Sequence, residues 1–214
     1  MKTHSFRIKL PPRGHIKAAN AADPVDYYYN PLAGWLFRHR INVGLSLLTH
    51  PVGAVLEVGM GSGLLVPTLV SACDTYTGID LFPADNAITR EYRVKKTLFL
   101  QMDICRTSFP NDFFNTVIAF SVFEHIGNLK DAIQEIARIL KPKGKLIAGF
   151  PLVGQGMDFC FRLIGFSGTN RSHINPTGKI IDTIAGSLKI TRIRTIPACL
   201  PFRMALYTCI RAEK

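Results

Sequence analysis

Short apolar runs and amphipathic stretches alternate along most of this chain. The run ending in AVLEVG (54–59) predicts a buried strand, and 62–72 a helix after it. TYTGID (75–80), LFLQMDI (98–104) and FNTVIAFS (114–121) read as three further strands. LKDAIQEIARIL (129–140) places Leu129, Ile133, Ile136, Ala137 and Leu140 on one helical face, and Lys141-Pro142-Lys143-Gly144 stops it before a fifth strand, KLIAGF (145–150). Upstream, Leu32, Trp35, Leu36, Ile41, Leu45 and Leu48 recur near helical spacing, predicting one amphipathic helix over 31–50 that ends at Pro51 and Gly53. After Pro151 the rhythm changes. A glycine-rich apolar stretch (154–168) precedes a helix near 176–186, and two long strands (187–196 and 204–212) follow, close enough to pair as an antiparallel hairpin.

Strands alternating with helices argue an α/β fold with a doubly wound, mostly parallel sheet. The 214 residues suit one domain over 23–214, comprising a helical cap (23–50), the sheet, and an insertion at 152–175. Residues 1–22 read as a flexible basic arm, since Pro11-Pro12 and Gly14 discourage regular structure.

Composition narrows the class. Hydrophobic residues make up 47% and charged residues 19%, which excludes a disordered chain. The net charge of +11 suggests an anionic partner: nucleic acid, a membrane surface or a phosphorylated substrate. Part of that charge belongs to the arm, where Lys2, Arg7, Lys9, Arg13 and Lys17 precede the first acid, Asp23. Cys73, Cys105, Cys160, Cys199 and Cys209 show no paired spacing, so no zinc motif, metal site or disulfide framework is read, and a reducing, cytoplasmic location is expected. No signal-peptide core is read, and no uninterrupted apolar run approaches the roughly 18–20 residues of a membrane span.

The chemistry centres on VLEVGMGSG (55–63). Gly59, Gly61 and Gly63 fall at alternate positions after a strand whose end carries Glu57. A dinucleotide site asks for Gly-x-Gly-x-x-Gly, but residue 64 is Leu, and no Tyr-x-x-x-Lys pair lies in a suitable place, which argues against a nicotinamide oxidoreductase. Glu-x-Gly-x-Gly-x-Gly resembles motif I of the class I S-adenosylmethionine (SAM) dependent methyltransferases. Ser121-Val122-Phe123-Glu124-His125-Ile126, after the fourth strand, resembles the "LEH" segment of the broad group that includes ubiquinone and menaquinone methyltransferases. The resemblance covers about residues 50–214 and implies a seven-stranded sheet of order 3-2-1-4-5-7-6.

It also implies roles. Glu57, Gly59, Gly61 and Gly63 would hold the methionine and ribose parts of SAM. Asp80, which lies 23 residues after Glu57 and also reads as a plain turn acid, would grip the ribose hydroxyls, with Leu81 against the adenine. Asp103 and Ile104 would contact the adenine, although Asp103 also reads as a helix N-cap. Ser121 and Val122 would line the methionine end. Asn115 departs from the family's usual Asp, a change that should be tolerable at a structural position.

His125 is the candidate base for an acceptor proton, and His173 a second candidate on the acceptor side; both also read as loop residues. Tyr28, Trp35, Glu124 and Arg171 are placed with the acceptor. The apolar 152–166 segment suggests a greasy or aromatic small-molecule or lipid-precursor acceptor, methylated on oxygen or carbon. Peripheral contact with the inner membrane face stays open through Trp35, Arg38 and Arg40. A nucleic-acid substrate is disfavoured, because FSVFEH stands where amino-methylating enzymes carry N/D-P-P-Y/F. A non-catalytic SAM-binding relative is the remaining alternative. The acceptor's identity and the oligomeric state are not legible.

Overall fold

The structure, a computed structural model, describes residues 6–19, 23–94, 96–152, 173–202 and 204–214. Seven strands form one sheet: β1 (Ala54–Val58), β2 (Thr75–Asp80), β3 (Thr97–Gln101), β4 (Phe114–Phe120), β5 (Leu140–Pro151), β6 (Lys189–Ile196) and β7 (Tyr207–Glu213). Their order is β3-β2-β1-β4-β5-β7-β6, with β7 antiparallel to both neighbours and the other pairs parallel. Sheet order and hairpin agree with the sequence-based expectation.

The period of two along each strand explains the layers. Leu56, Val58, Val117, Ala119, Leu146 and Ala148 face one core, together with Ile133, Ile136 and Ile139 of α5 (Leu129–Ile139) and Ile180 and Ile184 of α6 (Thr177–Ala185). The alternate residues Val55, Ile118 and Ile147 face a second core. There they meet α1 (Val25–Tyr28), α2 (Gly34–Leu45) and α3 (Val66–Val70). Each fully buried Ile or Leu contributes about 1.5–3 kcal/mol. Both faces are therefore sealed, and the free rim at the strand ends is where a ligand can enter.

Several boundaries differ from expectation for local reasons. The helix expected over 31–50 is confined to α2, and the unexpected α1 precedes it; the Asn30 side chain accepts from the Leu32 and Ala33 amides and turns the chain between the two. The helix expected at 62–72 is confined to 66–70; the glycine loop takes positive φ at Gly59, Gly61 and Gly63, and Pro67 sits in the first helical turn. β5 starts five residues early, at Leu140, which pairs with Phe114 before a register shift. A short helix that the pattern did not reveal, α4 (Ala87–Glu91), is held by reciprocal Asn86–Thr89 hydrogen bonds.

Residues 6–19 contain no helix or strand, yet they are tied to the body. The Ile8 amide donates to Asn42, the Lys9 amide to Thr68, and the Ile88 amide to the carbonyl of His15. Asn115 accepts from the Ala54 amide and Lys141 while packing on Gly53, so its work is structural.

The β3–β4 connection is clamped to α5. Glu135 accepts from the Thr107 amide at 2.9 Å and from Arg138 at 2.7 Å, and Arg138 donates to the Phe109 carbonyl at 2.8 Å. These bonds hold the Glu135 carboxyl at about 2, well below the ordinary 4.5, with Arg138 the main cause. Its contribution is complete above about pH 4.5 and fades as pH falls through about 2. Glu135→Gln is expected to lower stability at pH 7 by about 1–2 kcal/mol, after allowance for screening at the half-exposed Arg138. Urea unfolding across pH 2–7 checks this, and the gap between variant and wild type should close toward pH 2.

Candidate active site

The chain runs outward from β1 through β2 to β3 and returns at β4 on the other side of β1. The loops after β1 and β4 therefore diverge and leave a crevice at their carboxyl ends. Gly59, at φ +70°, makes that divergence possible. A side chain there would lie 2.4 Å from Val122 Cγ2, so the loop backbone fits against Val122 only when bare. The crevice widens into a cavity of about 720 Å³.

Gly59, Met60, Gly61, Asp80, Leu81, Phe82, Asp103 and Ile104, from the end of β2 and the loops after β1, β2 and β3, line it. Asp80 accepts from the Gly61 amide and the Phe82 amide, each at 2.8 Å, and so joins the glycine loop to the end of β2. A carboxylate has further lone pairs for a ligand's hydroxyls. Asp103 accepts from the Cys105 amide at 2.8 Å, a local turn that ends β3 at Gln101 and shortens the expected 98–104 strand. Ile104 is buried beside it. Gly63 does not line the cavity; it packs on Ile88 behind the loop.

Glu57 sits at the cavity wall, fully buried. The Tyr76 hydroxyl, from β2, donates to it at 2.6 Å. Burial pushes the Glu57 carboxyl up to about 8 despite that bond, with Asp80 adding to the rise.

Tyr28, Phe37, Arg40, Phe120, Ser121, Val122, Glu124, His125 and His173 also line the cavity. Ser121 adopts φ +56° and turns the chain off β4; its hydroxyl lies 3.2 Å from the Tyr207 hydroxyl. His125 and His173 are 48 residues apart in sequence, yet their ring centroids lie 4.8 Å apart. A buried staple brings them together. The Ile174 and Asn175 amides donate to the Glu124 carbonyl, and the Asn175 side chain donates to the carbonyls of Phe123 and Ile126. Burial also raises the Glu124 carboxyl to about 8; its own amide and Arg40 pull the other way without reaching hydrogen-bond geometry.

Most sequence-derived candidates therefore converge on one cavity. Trp35 does not: it is 65% exposed, stacked on His39, and absent from the lining. Arg171 and most of the 152–175 insertion lie outside the described residues. Sequence reasoning did not assign Tyr76, Tyr207 or Asn175 a role, nor Arg40 a place in the site. The Arg40 guanidinium donates to the Tyr28 hydroxyl at 3.0 Å and lies over the rings of Tyr28, Phe37 and Tyr207. In the sequence it is one of two arginines in the Arg38-His39-Arg40 run of α2, with nothing to mark it out from Arg38.

Residues 56–148 match a family model described as a methyltransferase domain. Over 100 residues the chain is 33% identical to a phosphatidylethanolamine N-methyltransferase of Cereibacter sphaeroides, covering 44% of this chain and 49% of that protein. It is 28% identical over 128 residues to a ubiquinone biosynthesis O-methyltransferase of Xanthomonas oryzae pv. oryzae, covering 51% of each. The chain thus spans about half the length, or less, of the curated relatives it matches. The fold is similar to the N-methyltransferase NodS of Bradyrhizobium japonicum in complex with S-adenosylhomocysteine (SAH), with a TM-score of 0.64 and 19% identity, covering 92% of this chain and 94% of that one.

The raised Glu57 value has a measurable consequence. The fold favours the protonated acid, so stability declines as pH rises from about 4.5 through about 8. Glu57→Gln is expected to be more stable than wild type at pH 8.5, by on the order of a few kcal/mol. The same variant should bind SAH at least tenfold more weakly. Thermal unfolding against pH, with calorimetric titration of SAH, measures both.

Proposed function

We propose that the chain is a class I SAM-dependent methyltransferase, and that it moves the methyl group of SAM to a small aromatic or lipid-like acceptor, on a hydroxyl oxygen or an acidic carbon. The observation that carries this reading is one cavity lined both by the glycine loop with strand-end acids and by aromatic and imidazole side chains. The bare backbone of Gly59 and Gly61 with Asp80 and Asp103 suits SAM, and the aromatic side chains with His125 and His173 suit an acceptor.

The residues present fit the cofactor. Gly59 lets the loop pack on Val122, Gly61 leaves bare backbone at the cavity for a ligand to lie along, and Asp80 retains acceptor capacity beside it. Glu57, at the buried end of β1, is placed for the cofactor's ammonium. When bound, SAM supplies an electrophilic methyl group. The chain's own work is to orient the acceptor toward it and to exclude water, and such orientation can account for about 7–11 kcal/mol of the barrier. Tyr28, Phe37 and Phe120 enclose the acceptor, and His125 or His173 accepts its proton, worth about 10²–10⁴-fold.

The curated relatives support a small-molecule or lipid acceptor by their names, one for a phospholipid amine and one for a quinone precursor oxygen. We favour oxygen or carbon over nitrogen because imidazole bases in the cavity serve a group that must lose a proton to react. Leu32, 91% exposed, and Trp35 add a reason to include contact with the inner membrane face of a cytoplasmic enzyme.

Calorimetry should show SAM and SAH binding to the wild type, and Gly59→Ala should weaken both about a hundredfold. Alanine at positive φ costs about 1–2 kcal/mol before its methyl meets Val122. His125→Ala should lower kcat by roughly 10²–10⁴-fold in assays of labelled SAM with polyprenyl phenols. A wild type that binds neither SAM nor SAH would overturn the reading.

A further inference from the structure

At the cavity wall, one carboxylate and two imidazoles share a small space. A carboxylate oxygen of Glu124 and one ring nitrogen each of His125 and His173 all lie within 4.8 Å of one another. Two further observations mark this as a built arrangement. First, Glu124 is 0% exposed, and neither of its side-chain oxygens has a hydrogen-bond partner. A buried carboxylate left so costs several kcal/mol unless a cation or proton meets it. Second, the staple from Asn175 and the Ile174 and Asn175 amides fixes the strand-four turn against the segment bearing His173. The proximity of the three donors is thus enforced by buried bonds and is not a chance meeting of surface side chains.

We propose that Glu124, His125 and His173 form a binding site for a divalent transition-metal cation, Zn²⁺ by preference, whose open position faces the cavity. Two imidazole nitrogens and one carboxylate oxygen are the donor set of open zinc sites and suit Mg²⁺ and Ca²⁺ poorly. Donors about 2.1 Å from a tetrahedral ion stand about 3.4 Å apart, so the widest pair must close by up to about 1.4 Å on binding. Rotation of the exposed His125 and half-buried His173 side chains supplies that closure.

Charge decides what fills the open position. Glu124 supplies one negative charge, while Arg40 is near enough to couple with it electrostatically but forms no ion pair with it. The cation is therefore underneutralised and favours an anionic fourth ligand. This role, unlike metal binding itself, rests on the methyl-transfer reading. With the metal bound, the two imidazoles serve as ligands in place of the base role given above, and an acceptor hydroxyl that coordinates gives its proton to water. Its oxygen then bonds to the methyl carbon as the carbon–sulfur bond breaks, the electron pair staying with sulfur and SAH leaving.

The test is Zn²⁺ titration of chelator-stripped full-length chain against a chromophoric competitor, with Co²⁺ as a spectroscopic substitute. One Zn²⁺ per chain is expected, weakened at least tenfold in each of Glu124→Gln, His125→Gln and His173→Gln, with circular dichroism reporting that each variant is folded. Co²⁺ should give visible bands of a four- or five-coordinate site. Zn²⁺ binding that is substoichiometric, or equal in wild type and folded variants, overturns the proposal. Should a variant fail to fold, the imidazole nitrogen resonances of the wild type decide: Zn²⁺ must shift those of His125 and His173, and unshifted resonances overturn it. SAH titration runs in parallel. Zn²⁺ binding without SAH binding sinks the methyl-transfer reading alone, and the converse sinks the metal site alone.

Discussion

The pairing of β1 with β2 on one side and β4 on the other is the constraint on which the site depends. Because the chain leaves β1 in one direction and returns at β4 in the other, the loops after these strands cannot cover each other. The crevice exists before any particular side chain is chosen. It remains open only if the loop after β1 can turn sharply and run close to Val122, which Gly59 allows. Sealing both sheet faces with helices then leaves the strand ends as the place where polar residues can collect around a ligand.

Two buried acids show how that place differs from the core. Glu57 and Glu124 are both desolvated, and both are pushed to about 8. Glu57 has one donor, Tyr76, whereas Glu124 has none. The core around them gains from burial of isoleucine and leucine, and these two positions work against it. Residues that cost stability at the floor of a cavity are the expected signature of a binding function. Arg40 belongs to the same group. Its guanidinium is enclosed by Tyr28, Phe37 and Tyr207, from α1, α2 and β7, so distant parts of the chain meet at the cavity.

The parallel sheet, its hairpin and the strand-end positions of Glu57, Asp80, Asp103 and Glu124 were legible because each depends on a local signal. Strands of period two, helices of period 3.6 and the spacing of three glycines are all read within a dozen residues. Boundaries were less legible where a single side chain intervened, as with Asn30 between α1 and α2 or Asp103 at the end of β3. Trp35 shows the opposite error, since an apolar residue at helical spacing turned outward to stack on His39.

The sequence by itself determined the class of fold, the cofactor part of the site and the segment that follows β4, since these rest on hydrogen-bonding periodicity and on backbone freedom at glycine. Only the tertiary structure decided that His173 stands beside His125, that Tyr76 serves Glu57, that Arg40 enters the cavity, and that Glu124 is buried without a partner. The physical reason is that these relations join residues apart in the chain, 19 positions for Glu57 and Tyr76 and 49 for Ile126 and Asn175, through packing and buried hydrogen bonds. Such contacts leave no period in the chain, and they exist only once the sheet has closed its two cores.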